Sequence, residues 1–81
     1  MTVTIRLFAA ARAAAGTDSV SAEPGTLAQV TDSLTLRFPA LREVLPRCSF
    51  LIDGTATHGD PEAVQVPVDS EVDVLPPFAG G

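Results

Sequence analysis

From Thr2 to Phe8 the chain alternates. Val3, Ile5 and Leu7 fall on one face, and Thr2, Thr4, Arg6 and Phe8 on the other, the period of a half-buried strand. The period then changes. Ala9 to Gly16 is Ala-rich around Arg12 and predicts a short helical piece closed by Gly16, since glycine takes the left-handed cap without a steric penalty. Asp18 to Ala22 predicts a second short strand with Val20 inward, and Glu23-Pro24-Gly25 a turn. Thr26-Leu27-Ala28-Gln29 has the form of a capping box, in which Thr caps a helix start and Gln reaches back. Leu27, Val30, Leu34 and Phe38 continue as an apolar stripe at helical spacing. Pro39 disfavours helix at Phe38, so the helix ends there. Leu41, Val44 and Leu45 predict one more turn, broken by Pro46.

Ser49 to Asp53 predicts a strand running into an Asp53-Gly54 turn. Thr55 to Val66 is polar, contains Gly59-Asp60-Pro61, and predicts loop with a short strand at its start. Pro67 to Ser70 is a turn, and Glu71 to Leu75 the last strand, with Val72 and Val74 inward. One main helix laid across a mixed sheet is an α+β arrangement. This order of elements, with a strand at each end, predicts a β-grasp. In that topology the first and last strands are parallel neighbours at the sheet centre. The expected organisation is a β-grasp domain over residues 1–75 and a C-terminal tail over 76–81.

Strand parity carries a further expectation. If Val3, Ile5 and Leu7 face the helix, Phe8 faces away; if Val72 and Val74 face it, Leu75 faces away. The two residues then meet on the open face of the sheet, beside the root of the tail. Apolar residues placed outside a core in this way mark a docking surface. The competing reading folds Phe8 back into the core beneath the Ala-rich segment.

Composition changes the picture mainly by exclusion. The chain has 81 residues and a formal charge of −5, which argues against nucleic acid or an anionic membrane as partner and fits a basic one. No apolar run approaches the ~20 residues that span a bilayer, and the N-terminus has no signal-peptide pattern, so the expected location is cytoplasmic. The 5 basic residues are all arginine. With no lysine, the chain has no side-chain amine to accept an isopeptide bond. The lone Cys48 has no disulfide partner and no metal-site companions, and predicts a small, partly buried filler. His58, the only histidine, falls in a predicted loop. Ser33, Ser49 and Ser70 have no nucleophile elbow or base nearby in sequence. Asp69, Glu71 and Asp73 alternate on one strand face, the pattern of a solvated face. No phosphate loop, dinucleotide fingerprint or metal-spaced cluster is present, so no bound cofactor or metal is expected.

The sequence closes on Pro76-Pro77-Phe78-Ala79-Gly80-Gly81. The prolines hold this segment extended and exclude strand pairing. At ~3.3 Å per residue it reaches roughly 20 Å, enough to enter another protein's active site. Gly80 and Gly81 lack Cβ, so a partner can grip the backbone closely and the carbonyl of Gly81 stays open to attack. A carboxylate is a poor electrophile and needs activation, for which adenylation by a nucleotide-using partner is the expected route. The plain alternative for such a segment is a frayed terminus.

Leu7-Phe8-Ala9-Ala10 with Arg12 and Gly16, Leu51-Ile52-Asp53-Gly54, Asp69-Ser70-Glu71-Val72 and the Pro-Pro-x-x-Gly-Gly ending together resemble the MoaD/ThiS family of ubiquitin-like sulfur carriers. The resemblance covers nearly the whole chain and is nearest to the small-subunit branch of molybdopterin synthase. The family often has Asn at Asp53, Asp-Gly-Asp-Glu at Val68-Asp69-Ser70-Glu71, and a smaller residue at Phe78. The resemblance implies the ubiquitin-like β-grasp and a chain that is not itself a catalyst. It implies adenylation of Gly81 by an E1-like enzyme using ATP, a sulfurtransferase as sulfur source, and conversion to a thiocarboxylate. It also implies insertion of the tail into the molybdopterin synthase large subunit, in a heterotetramer, where the sulfur builds the dithiolene from a pyranopterin precursor. Phe8 and Leu75 map onto apolar docking positions of the family, with Pro76, Pro77, Phe78 and Ala79 as the inserted segment. Two other readings stand beside this one. The first is a sulfur carrier for another pathway, such as cysteine, thiazole, a modified tRNA base or a secondary metabolite. The second is a β-grasp module that only binds.

Overall fold

The computed structural model describes residues 1–76. β1 (Val3–Leu7) is followed by α1 (Ala9–Ala15), β2 (Ser19–Ala22), β3 (Gly25–Thr26) and α2 (Leu27–Arg37). Then come α3 (Leu41–Val44), a 3-10 turn over Leu45–Arg47, β4 (Ser49–Ile52), β5 (Thr55–Ala56), β6 (Gln65–Val66) and β7 (Glu71–Leu75). The main sheet has the order β2-β1-β7-β4-β5. β1 and β7 run parallel at its centre, with Ile5 opposite Val72 and Leu7 opposite Val74. All other pairs in that sheet are antiparallel. This is the predicted ubiquitin-like β-grasp.

The core follows from the two periods. Val3, Ile5, Leu7, Val72 and Val74 are buried on one sheet face, and Leu27, Val30 and Leu34 of α2 cover them, with Leu41 and Leu45 beside them. At ~25 cal/mol per Å² of apolar area, such burial is the main stabilising term. The capping box forms in full: Thr26 Oγ1 accepts from the Gln29 N–H at 3.1 Å, and Gln29 Oε1 accepts from the Thr26 N–H at 2.9 Å. α2 ends at Arg37, with Phe38 outside the helix and packed against the core. Gly16 closes α1 in the left-handed region, at φ 74°. Asp53 and Gly54, at φ 49° and 84°, make the two-residue turn that joins β4 to β5, the primed geometry that matches strand twist.

Three local expectations need correction. Gly25 is not merely part of a turn: it opens β3, which pairs with β6 in a second, two-stranded sheet. The segment read as loop up to Val66 therefore ends in a strand, and Val66 is buried in the core. A two-residue strand is too short to show a period. Asp69 does not share the face of Glu71 and Asp73, because β7 begins at Glu71 and Asp69 turns the chain at φ 66°.

Candidate functional site

The open face of the sheet is the one the helices leave uncovered. Register assigns its residues. Arg6 and Asp73 are partners across β1 and β7, as are Thr4 and Glu71. Ser49 lies opposite Leu75, and Leu51 opposite Asp73, across β7 and β4. Phe8 stays in extended conformation, at φ −129° and ψ 150°, and its N–H donates to the Val74 carbonyl at 3.2 Å. It therefore continues β1 by one residue onto the open face, next to Leu75. Both side chains are half-buried. The parity expectation holds, and Phe8 is not folded back into the core.

Immediately after Phe8 the chain leaves the sheet. Ala9 sits at φ 52°, in a region that costs an L-residue with a Cβ roughly 1–2 kcal/mol. The strained residue thus adjoins the half-buried aromatic. The Phe8 carbonyl accepts from the Ala11 and Arg12 N–H groups at 3.2 and 3.4 Å, which opens α1.

The polar part of the face is an ion cluster. Arg6 Nη1 donates to Glu71 Oε1 at 3.0 Å, and Arg6 Nε lies 3.4 Å from Asp73 Oδ1. The same guanidinium lies over the Phe8 ring, 5.5 Å from its centroid. Glu71 and Asp73 are therefore not simply solvated, as their alternation suggests. The place of Leu51 on this face is not legible in its own segment. Ser49-Phe50-Leu51-Ile52 has no polar alternation to assign faces, and only pairing does so: Phe50 and Ile52 pack toward the core, leaving Leu51 on the open face.

Pro76 follows Leu75 directly and lines a shallow cavity of about 310 Å³ with Ala10, Val44 and Cys48. Burial pushes the Cys48 thiol above its ordinary value, and its Sγ–H donates to the Val44 carbonyl at 3.3 Å. This is the environment of a filler and not of a nucleophile. Pro77, Phe78, Ala79, Gly80 and Gly81 lie outside the described residues. Among the described residues no group of three or more His, Cys, Asp or Glu side chains could hold a metal, and no helix is long and apolar enough to cross a membrane.

The ThiS family matches residues 5–81. Among solved structures, the chain is similar to small archaeal modifier protein 1 from Methanosarcina acetivorans, at 28% identity over 99% of this chain and 96% of that one, with a TM-score of 0.85. Small archaeal modifier protein 1 from Haloferax volcanii is 23% identical over 100% of both chains, with a TM-score of 0.81. The complex of subunits 1 and 2 of the molybdopterin-converting factor from Helicobacter pylori contains a chain that is 17% identical over 100% of both, with a TM-score of 0.70. The latter two likenesses are of fold. No curated protein matches the chain in sequence.

Proposed function

Because this chain belongs to the ThiS family of ubiquitin-like sulfur carriers, we propose that it carries sulfur on Gly81 and delivers it as the small subunit of a molybdopterin synthase. The observation that carries this reading is the convergence of Phe8 and Leu75 on the open face, beside Pro76 at the root of the tail. A partner gripping that face receives the tail in a defined direction. The Helicobacter pylori complex supports a large-subunit partner by analogy of fold. Residues 1–75 then act as the handle and 76–81 as the delivered segment.

The chemistry belongs to Gly81 and its partners. A carboxylate oxygen of Gly81 attacks the α-phosphate of ATP on an E1-like enzyme, and pyrophosphate leaves. The terminal sulfur of a sulfurtransferase persulfide attacks the acyl carbon, and AMP leaves. A thiol attacks the sulfurtransferase sulfur of the resulting acyl disulfide, forming a disulfide with it and releasing Gly81 as a thiocarboxylate. The large subunit takes up the tail and passes the sulfur to a pyranopterin precursor. The chain supplies no catalytic side chain and is consumed and recharged.

The test is reconstitution with the adenylating enzyme, ATP, a persulfide source and the large subunit. The expected sequence is a mass change from one oxygen to one sulfur, then molybdopterin. Gly81→Ala is expected to slow activation or transfer with an unchanged fold, because a methyl group crowds the carbonyl. Normal rates for that variant would sink the claim that the bare terminus matters. A thiocarboxylate without transfer to the precursor would keep the carrier and move the acceptor. The likeness to small archaeal modifier protein 1 makes a second protein the acceptor to try next.

A further inference from the structure

We propose that Arg6 is a positioning residue for Phe8: clamped by Glu71 and Asp73, it holds the aromatic ring in one orientation for the docking partner. The inference rests on the reading of the open face as the docking surface, and it names a residue which that reading does not use. The backbone of Phe8 is already tied at both ends, through its N–H to Val74 and its carbonyl to Ala11 and Arg12. Ala9 turns away at once at φ 52°. The freedom that remains is rotation of the side chain, on a face where the ring is only half-buried.

Arg6 lies two residues back on the same face, and its guanidinium meets three groups together. These are the Glu71 carboxylate at 3.0 Å, Asp73 Oδ1 at 3.4 Å, and the Phe8 ring with its centroid at 5.5 Å. A planar, delocalised cation can meet carboxylates at its edge and an aromatic ring at its face, which an ammonium does less well. The two carboxylates come from the neighbouring strand, at register positions fixed by the central parallel pair. They order Arg6 before any partner arrives, so the entropy of fixing both side chains is spent in folding and not in binding. The burial of Asp73 Oδ1 adds to this. Among the described residues it is buried without a hydrogen-bond partner, and Arg6 is the cation beside it that compensates its charge. One guanidinium against two carboxylates leaves the cluster net negative, which suits a partner contributing a cation.

The test uses the full chain and the molybdopterin synthase large subunit of the same organism, with Kd measured for Arg6→Ala, Phe8→Leu and the double variant. Arg6→Ala is expected to weaken binding about three- to tenfold. That loss should largely vanish in the Phe8→Leu background, since Arg6 acts through the ring. Phe8 ring resonances should shift in Arg6→Ala and be only partly restored in Arg6→Lys. Glu71→Gln with Asp73→Asn, which leaves Arg6 in place but unclamped, should weaken binding in the same sense. Equal losses in both backgrounds would overturn the proposal by making Arg6 a direct contact. No loss in Arg6→Ala, with Phe8→Leu still weakened, would overturn it while preserving the docking face. Unchanged binding in Phe8→Leu would remove the docking reading and the proposal with it.

Discussion

Ala9 shows how one backbone angle places a functional side chain. Its positive φ ends the sheet pairing of β1 and leaves Phe8 as the last extended residue. Glycine would adopt this angle without strain. Ala9→Gly should therefore raise stability by about 0.5–1 kcal/mol in urea denaturation, where a Cβ now costs roughly 1–2 kcal/mol and glycine returns part of that as unfolded-state entropy. A destabilised variant would mean that the Ala9 methyl group packs usefully. Cys48 links burial to pH. Its thiol is raised by burial, so the folded state disfavours the thiolate. The contribution of Cys48 to stability should be constant below the ordinary thiol value of 9.0 and fall as pH climbs above it, because the unfolded chain then loses a proton that the folded chain keeps. Comparing denaturation midpoints from pH 7 to 10 in the native chain and in Cys48→Ala checks this; identical slopes would refute it.

Among the elements, α2 was the most legible. Thr26 and Gln29 stand three apart, the apolar stripe follows, and Pro39 marks the stop. Both capping hydrogen bonds are present. Gly25 fits this arrangement, since a Cβ there would come within 2.5 Å of Gln29 Oε1. Thr26→Ala should cost about 1 kcal/mol, read as a lower thermal midpoint with helix content otherwise kept. An unchanged midpoint would assign the helix start to tertiary packing alone. β3 and β6 are the opposite case. Gly25 pairs with Val66 and Thr26 with Gln65, residues far apart in the chain. Neither piece has enough length to announce itself, and each is a strand only because the other is there.

At the scale of the molecule, the parallel pairing of β1 with β7 matters most. It sets Phe8 beside Leu75 and Arg6 beside Asp73, and it places Pro76 where the sheet ends. Phe8→Ala and Leu75→Asp should each weaken partner binding by about 2 kcal/mol or more, the scale of an interface anchor. Folding should lose less, since both side chains are half-buried and lie outside the face covered by the helices. Calorimetric binding and thermal melts of the same samples separate the two effects. A large fall in melting temperature with unchanged affinity would return both residues to a structural role.

The local periods are written in the order of residues: two-residue alternation in β1 and β7, the capped stripe of α2, and the Asp53-Gly54 turn. That order also determined the parity by which Phe8 and Leu75 leave the core, because strand side chains alternate faces whatever the neighbour. Tertiary structure alone decided which strand meets which, and so the facing of Leu51, the burial of Val66 and the clamp on Arg6. Those properties depend on register between segments distant in sequence. Register is settled by the whole core closing at once, so no single segment carries it.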